Sequence, residues 1–203
     1  MTRWAALASL LAGCTAIAPF GGLTTGDAAT DASLDAGAGG PKLVFLSSER
    51  YFGNLSGIAG ADARCSALAN ARGYSGRFLA WLSAGGMGPA DRFDRSAGPY
   101  VRVDDAVVAE SWDDLTDGVL THLIDVDETG AQVADGSAAW TGTDYRGLPT
   151  LDGATCEDWT SSTFEARGAI GAFDQRMFGE WSHWDDVGPF PCQNGFRLYC
   201  FEQ

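Results

Sequence analysis

The sequence predicts an α+β domain over residues 42–203, and three observations carry that expectation. Short apolar runs suited to strands stand near both ends of this region and at 78–82. One segment between the first two runs repeats its apolar residues at helical spacing. The long stretch before the last run is rich in glycine with isolated aromatics, as irregular loops are.

Each element follows in chain order. Met1, Thr2 and Arg3 precede a short apolar run and then Ala12, Gly13 and Cys14, so residues 1–14 read as a secretory signal peptide, too short to cross a bilayer. Leu11-Ala12-Gly13-Cys14 resembles a bacterial lipobox, in which the cysteine is acylated and becomes the mature N-terminus. Thr15 follows Cys14 where an aspartate would favour inner-membrane retention, so the resemblance implies a lipid anchor at the outer membrane or cell surface. Residues 15–41 are mostly Ala, Gly, Thr and Asp and cannot bury enough surface to offset their ordering entropy, which makes them a flexible tether.

The run Lys42 to Ser47 reads as a first strand. Ile58, Ala61, Cys65, Leu68 and Ala69 then mark the clearest helix, with Gly73 where it stops. Phe78 to Leu82 reads as a strand carrying Trp81. Ser111-Trp112-Asp113-Asp114 has the form of a capping box opening a short helix that runs to about Thr116 and is halted by Gly118. Phe196 to Phe201 is the last strand. Trp81, Trp112, Trp140 and Trp159 are assigned to the core.

Charge and cysteine content narrow the function classes. With 27 acidic against 13 basic side chains, the net charge of −14 would repel phosphate backbones and anionic lipid headgroups. No nucleic-acid partner is expected, and membrane association is expected through the N-terminal lipid only. Five cysteines are an odd number for an exported protein; acylation of Cys14 leaves Cys65, Cys156, Cys192 and Cys200 for two disulfides. Spacing alone leaves three pairings open.

Several phrases in order carry a resemblance. They are Val44-Phe45-Leu46-Ser47-Ser48, Gly57-Ile58-Ala59-Gly60-Ala61-Asp62-Ala63-Arg64-Cys65, Phe78-Leu79-Ala80-Trp81-Leu82-Ser83, Trp140-Thr141-Gly142, Cys156-Glu157-Asp158-Trp159-Thr160-Ser161 and Phe196-Arg197-Leu198-Tyr199-Cys200-Phe201-Glu202. Together they resemble a family of bacterial exported domains of unknown function that is similar to the endostatin domains cut from certain collagens, both being variants of the C-type lectin-like fold. The resemblance covers nearly all of 42–203. It implies mixed, mostly antiparallel sheets, two short helices and a long irregular loop region. It also implies that Cys65 pairs with Cys200 and Cys156 with Cys192.

The family's ligand sites transfer poorly. The Glu-Pro-Asn triplet and the Trp-Asn-Asp triplet that hold calcium in sugar-binding members are missing, Gly153-Ala154-Thr155 standing before Cys156. The arginine-rich heparin surface and N-terminal zinc histidines of endostatins have no counterpart here, where His122 and His183 are the only histidines. Asp125-Val126-Asp127-Glu128-Thr129-Gly130 starts like a calcium loop but reaches Gly136 at the twelfth position, so it reads as a solvated acidic turn with calcium only weakly supported. No cofactor is otherwise expected.

Trp181, His183, Trp184, Asp185 and Asp186 lie together within the loop that the inner disulfide would close, and aromatic faces beside carboxylates suit a sugar ring or an amphipathic partner. Enzyme motifs are missing: Ser182-His183 is mere adjacency, and Glu157 and Asp158, read as strand neighbours, would point apart. The expectation is a non-enzymatic domain that binds an extracellular ligand, glycan or protein. A carbohydrate-binding lectin, calcium-assisted or not, is the alternative, and a hydrolase with an unrecognised site ranks third.

Overall fold

The computed structural model describes residues 39–134, 136 and 138–203. Residues 1–14, expected to be a signal peptide ending at Cys14, and nearly all of the 15–41 segment lie outside the described residues. The elements run β1 (Lys42–Leu46), α1 (Gly57–Ala71), β2 (Phe78–Ala80), α2 (Pro89–Arg92), β3 (Tyr100–Arg102), β4 (Val107–Ala109), α3 (Trp112–Leu115), β5 (Ala139–Trp140), β6 (Arg167–Gly168), β7 (Ile170–Gly171), β8 (Phe190–Pro191) and β9 (Arg197–Glu202). The result is an α+β fold around a mixed sheet.

β9 is the centre of that sheet. One edge pairs antiparallel with β1, Phe45 facing Cys200, while the other pairs with β2 near its C-terminal end and with β5 near its start, Ala80 facing Cys200 and Trp140 facing Leu198. β3 and β4 extend the sheet beyond β1 and β7 extends it beyond β5, while β6 and β8 form a separate two-stranded ribbon. The β1 with β3 and β5 with β9 pairings are parallel and the rest antiparallel.

A strand buried on both faces needs apolar residues without alternation, and β1, β2 and β9 are written that way. Val44, Leu46, Leu79, Trp81, Tyr199 and Phe201 enter one core cluster, and Phe45, Phe78, Ala80, Leu198 and Cys200 enter the other. This is the two-residue period of a strand feeding two cores. α1 covers the second face with Ala61, Cys65 and Ala69, which are fully buried, while Ile58 and Leu68 flank them half-buried. Its C-terminus closes as a Schellman motif: Tyr74 N–H donates to Ala69 O and Gly73 N–H to Asn70 O, with Gly73 at φ +79°.

Two disulfides fasten this arrangement, Cys65 with Cys200 between α1 and β9 and Cys156 with Cys192 across the loop region. These are the same two pairs that the family resemblance implies. The four tryptophans assigned to the core are buried, none more than 6% exposed.

Three expectations need correction. Helices are not two and short: α1 has 15 residues, and α2 joins α3 as a second single turn. α2 opens on Gly88 with Pro89 in its first position and the Asp91 carboxylate accepting from Gly88 N–H, a start signal present in the sequence. In α3 the Ser111 hydroxyl accepts from Asp114 N–H as a capping box requires, but the Asp114 carboxylate turns back to Glu110 N–H, one residue earlier than the motif specifies.

Glu157 and Asp158 are not in a strand. Cys156–Trp159 is one helical turn wound left-handed, with φ of +51°, +56°, +54° and +64°. L-residues there cost about 1–2 kcal/mol each. Trp159 N–H donating to Thr155 O, the buried Trp159 ring and the Cys156 bridge offset that cost.

The acidic turn at 125–130 is not solvated. Asp125, Asp127 and Glu128 are 6%, 8% and 4% exposed, and all three carboxylates are engaged within the protein. Asp125 takes Arg102 and Gln132, Asp127 takes the Thr129 and Ala131 N–H groups and the Thr129 hydroxyl, and Glu128 takes Ser48. Burial of carboxylates requires such partners, and Leu46 N–H, donating to Val126 O, ties the turn to the end of β1.

Candidate ligand-binding cleft

The cleft is built from two loops, 144–152 and 177–188, with a volume of about 490 Å³. In the first loop Asp144 organises a tight turn: its Oδ1 accepts from the N–H groups of Arg146 and Leu148, and its Oδ2 from the Arg146 guanidinium. That contact raises the Arg146 guanidinium further above its ordinary value. The same guanidinium lies 5.7 Å from the centre of the Tyr145 ring. Farther on, the Thr150 hydroxyl donates to Asp152 over 2.6 Å. Leu148 and Leu151 stand exposed between these turns.

The second loop presents Phe178, His183 and Asp185. Asp185 opens a one-turn 3₁₀ helix, Asp185–Val187, and its carboxylate lies 3.2 Å from His183 Nδ1. Two buried contacts hold the loops together. Ser182 Oγ accepts from Trp81 Nε1 and donates to Thr143 O, just ahead of Asp144. Tyr145 packs so closely on Gly179 that a Cβ there would come within 2.3 Å of the ring, and Gly179 also has φ +74°, so the position requires glycine.

The structure divides the five residues singled out from the sequence. His183 and Asp185 line the cleft. Trp181 does not: it is 1% exposed, its ring 5.0 Å from Trp81 and 5.9 Å from Tyr199. Trp184 is half-buried against the other core cluster, its N–H donating to Ile170 O beside β7. Asp186 is exposed but is no part of the lining. The reason is the path of the chain: Ala172 N–H bonds to Glu180 O and Trp184 N–H to Ile170 O, which lays 180–184 along β7 and turns both indoles inward.

Sequence reasoning missed Phe178, Tyr145, Leu148 and Leu151. Phe178 is 84% exposed and takes a left-handed φ of +58°. A bulky residue in that conformation is an outlier, and Phe178 belongs to neither core cluster. No local pattern marks these residues, because their exposure follows from how two distant loops meet.

The chain is similar to part of a human collagen. Over 167 residues it is 28% identical to the human collagen alpha-1(XVIII) chain, an alignment that covers 74% of this chain and 9% of the collagen. The chain thus spans less than a tenth of the length of that relative. No family model matches. The similarity supports the likeness to collagen-derived endostatin domains and, with the two disulfides, a disulfide-bonded lectin-like domain. Among the described residues no helix is long and apolar enough to cross a membrane, and no cluster of three or more metal-ligating side chains occurs.

Proposed function

We propose that this is a non-enzymatic domain of the C-type lectin-like, endostatin-like kind, held at the cell envelope by a lipid on Cys14, that binds an extracellular ligand in the cleft between 144–152 and 177–188. The observation that carries the reading is Phe178, an aromatic ring displayed at a cleft wall beside the polar groups of His183 and Asp185. The buried hydroxyl of Ser182 is committed to Trp81 and Thr143 and offers no nucleophile. Two disulfides suit an oxidising compartment outside the cytoplasm.

The test uses purified, disulfide-intact protein carrying Cys14→Ser, so that no lipid is attached, on an array of glycans and envelope peptides with calcium and with chelator. Retention of a defined ligand that Phe178→Ala abolishes, at unchanged melting temperature, is the expected result. Turnover of a glycan or ester, or binding indifferent to the cleft variant, would overturn the reading. For the anchor, wild-type protein should partition into a detergent phase and Cys14→Ser should not; equal partition would remove the lipid.

A further inference from the structure

We infer that the cleft recognises a basic segment of a partner protein, taking an arginine or lysine side chain between Phe178 and Asp185. The inference rests on the cleft being a binding site, as proposed above, and names its ligand class.

One wall already displays the chemistry with the protein's own residues. The Arg146 guanidinium donates to Oδ2 of the Asp144 carboxylate and lies over the Tyr145 ring. A guanidinium between a carboxylate and an aromatic face gains from both the charge and the ring quadrupole. The facing wall repeats two of the three parts: Phe178 offers an exposed ring and Asp185 a carboxylate with 86% of its side-chain surface exposed. Among the described residues no arginine or lysine pairs with Asp185, whose carboxylate lies against His183 Nδ1.

Charge points the same way. With Asp144 and Arg146 paired to each other, the lining keeps the carboxylates of Asp152 and Asp185 beside the His183 imidazole. The chain as a whole carries −14, which steers cations toward it and anions away. Exposed Leu148 and Leu151 suit apolar residues flanking the basic one, so an amphipathic peptide fits better than a bare polycation. The left-handed backbone of Phe178 adds an independent argument. Glycine would sit there without strain, so an exposed phenylalanine in that conformation is explained by what it touches outside the fold.

The test is calorimetric titration of the full disulfide-intact chain carrying Cys14→Ser with short blocked peptides that alternate leucine with arginine, with serine or with glutamate, and with a neutral oligosaccharide mixture. Expected are single-site binding of the arginine peptide, clear weakening at high salt, a loss of roughly tenfold on Phe178→Gly and of roughly two- to fivefold on Asp185→Asn. Phe178→Gly leaves the charge unchanged, so it separates the cleft from diffuse attraction to an acidic surface. Equal affinity for the serine peptide, or arginine-peptide binding indifferent to Phe178→Gly, would overturn the inference. Oligosaccharide binding lost in Phe178→Gly, with no peptide bound, would sink the basic-peptide assignment and leave the cleft as a binding site. No binding of any probe would count against both.

Discussion

In the turn at 125–130 three carboxylates are folded inward onto Arg102, Ser48 and the turn's own N–H groups, with the turn docked on β1. In the turn at 144–148 the Asp144 carboxylate holds its own Arg146 at the surface, with 59% of the arginine side chain exposed. The 125–130 segment, with three acids and no base, docks on the end of β1, whereas the 144–148 segment, with one acid and one base, forms a wall of the cleft. The difference teaches that carboxylates serve two ends here, once as internal hydrogen-bond acceptors for a buried loop and once to hold a paired arginine at the surface. It extends to the bridges: Cys65 with Cys200 joins the helix to the central strand, while Cys156 with Cys192 ties the chain just after the first cleft loop to the chain just after the second.

The largest effects should come from the bridges. Replacing Cys65 and Cys200 together by alanine should cost about 5 kcal/mol and replacing Cys156 and Cys192 about 4 kcal/mol, because the first closes the longer loop. Urea unfolding would check both, and equal losses would show that native-state effects outweigh loop closure. Next comes the contrast between the acidic turns. Asp125→Ala leaves part-buried Arg102 with Asp104 as its remaining acidic partner and should cost about 2–3 kcal/mol, whereas Asp144→Ala should cost less than about 1 kcal/mol. Similar midpoint shifts would erase the distinction.

Phe178→Gly should move stability the other way. Relief of the left-handed strain, about 1–2 kcal/mol, exceeds the added freedom of glycine in the unfolded chain, about 0.5–1 kcal/mol, so a gain of about 0.5–1 kcal/mol is expected. A loss would mean that the ring supports the fold.

Smallest are the pH effects. Hydrogen bonding from Arg102 holds Asp104 below its ordinary 3.8, so at acid pH the unfolded chain binds more protons and stability falls as pH drops through and below that value. At the alkaline end burial and Glu49 push Tyr51 up to about 12, and burial raises Tyr100 and Tyr199 above 10.0. The folded chain then keeps protons that the unfolded chain releases, so the stabilisation is full below pH 10 and declines as pH rises above it. Melting temperatures across pH 2 to 12 would check both limbs, and a flat alkaline limb would refute the second.

Much of the frame was legible because its causes are local. The stripe through Ala61, Cys65 and Ala69, the Gly73 stop and the Ser111 cap each depend on residues a few positions apart. The apolar runs of β1, β2 and β9 marked strands, and the structure buries them on both faces. The site was half legible: His183 and Asp185 stand at the cleft, but Trp181 and Trp184 turn inward because 180–184 runs along β7, a pairing that no local pattern announces.

By itself the sequence determined the α+β class, the first helix and its stop, the strands near both ends of the domain and at 78–82, the tryptophan core and the acidic character. All of these follow from periodicity, capping chemistry and composition. Tertiary structure alone decided which carboxylates face inward, that Cys156–Trp159 winds left-handed, and that Phe178, Leu148 and Leu151 meet across one cleft. Those outcomes depend on which distant partner each group finds, and the free energy of a buried charge, a strained turn or an exposed ring is set by that partner rather than by its neighbours in the chain.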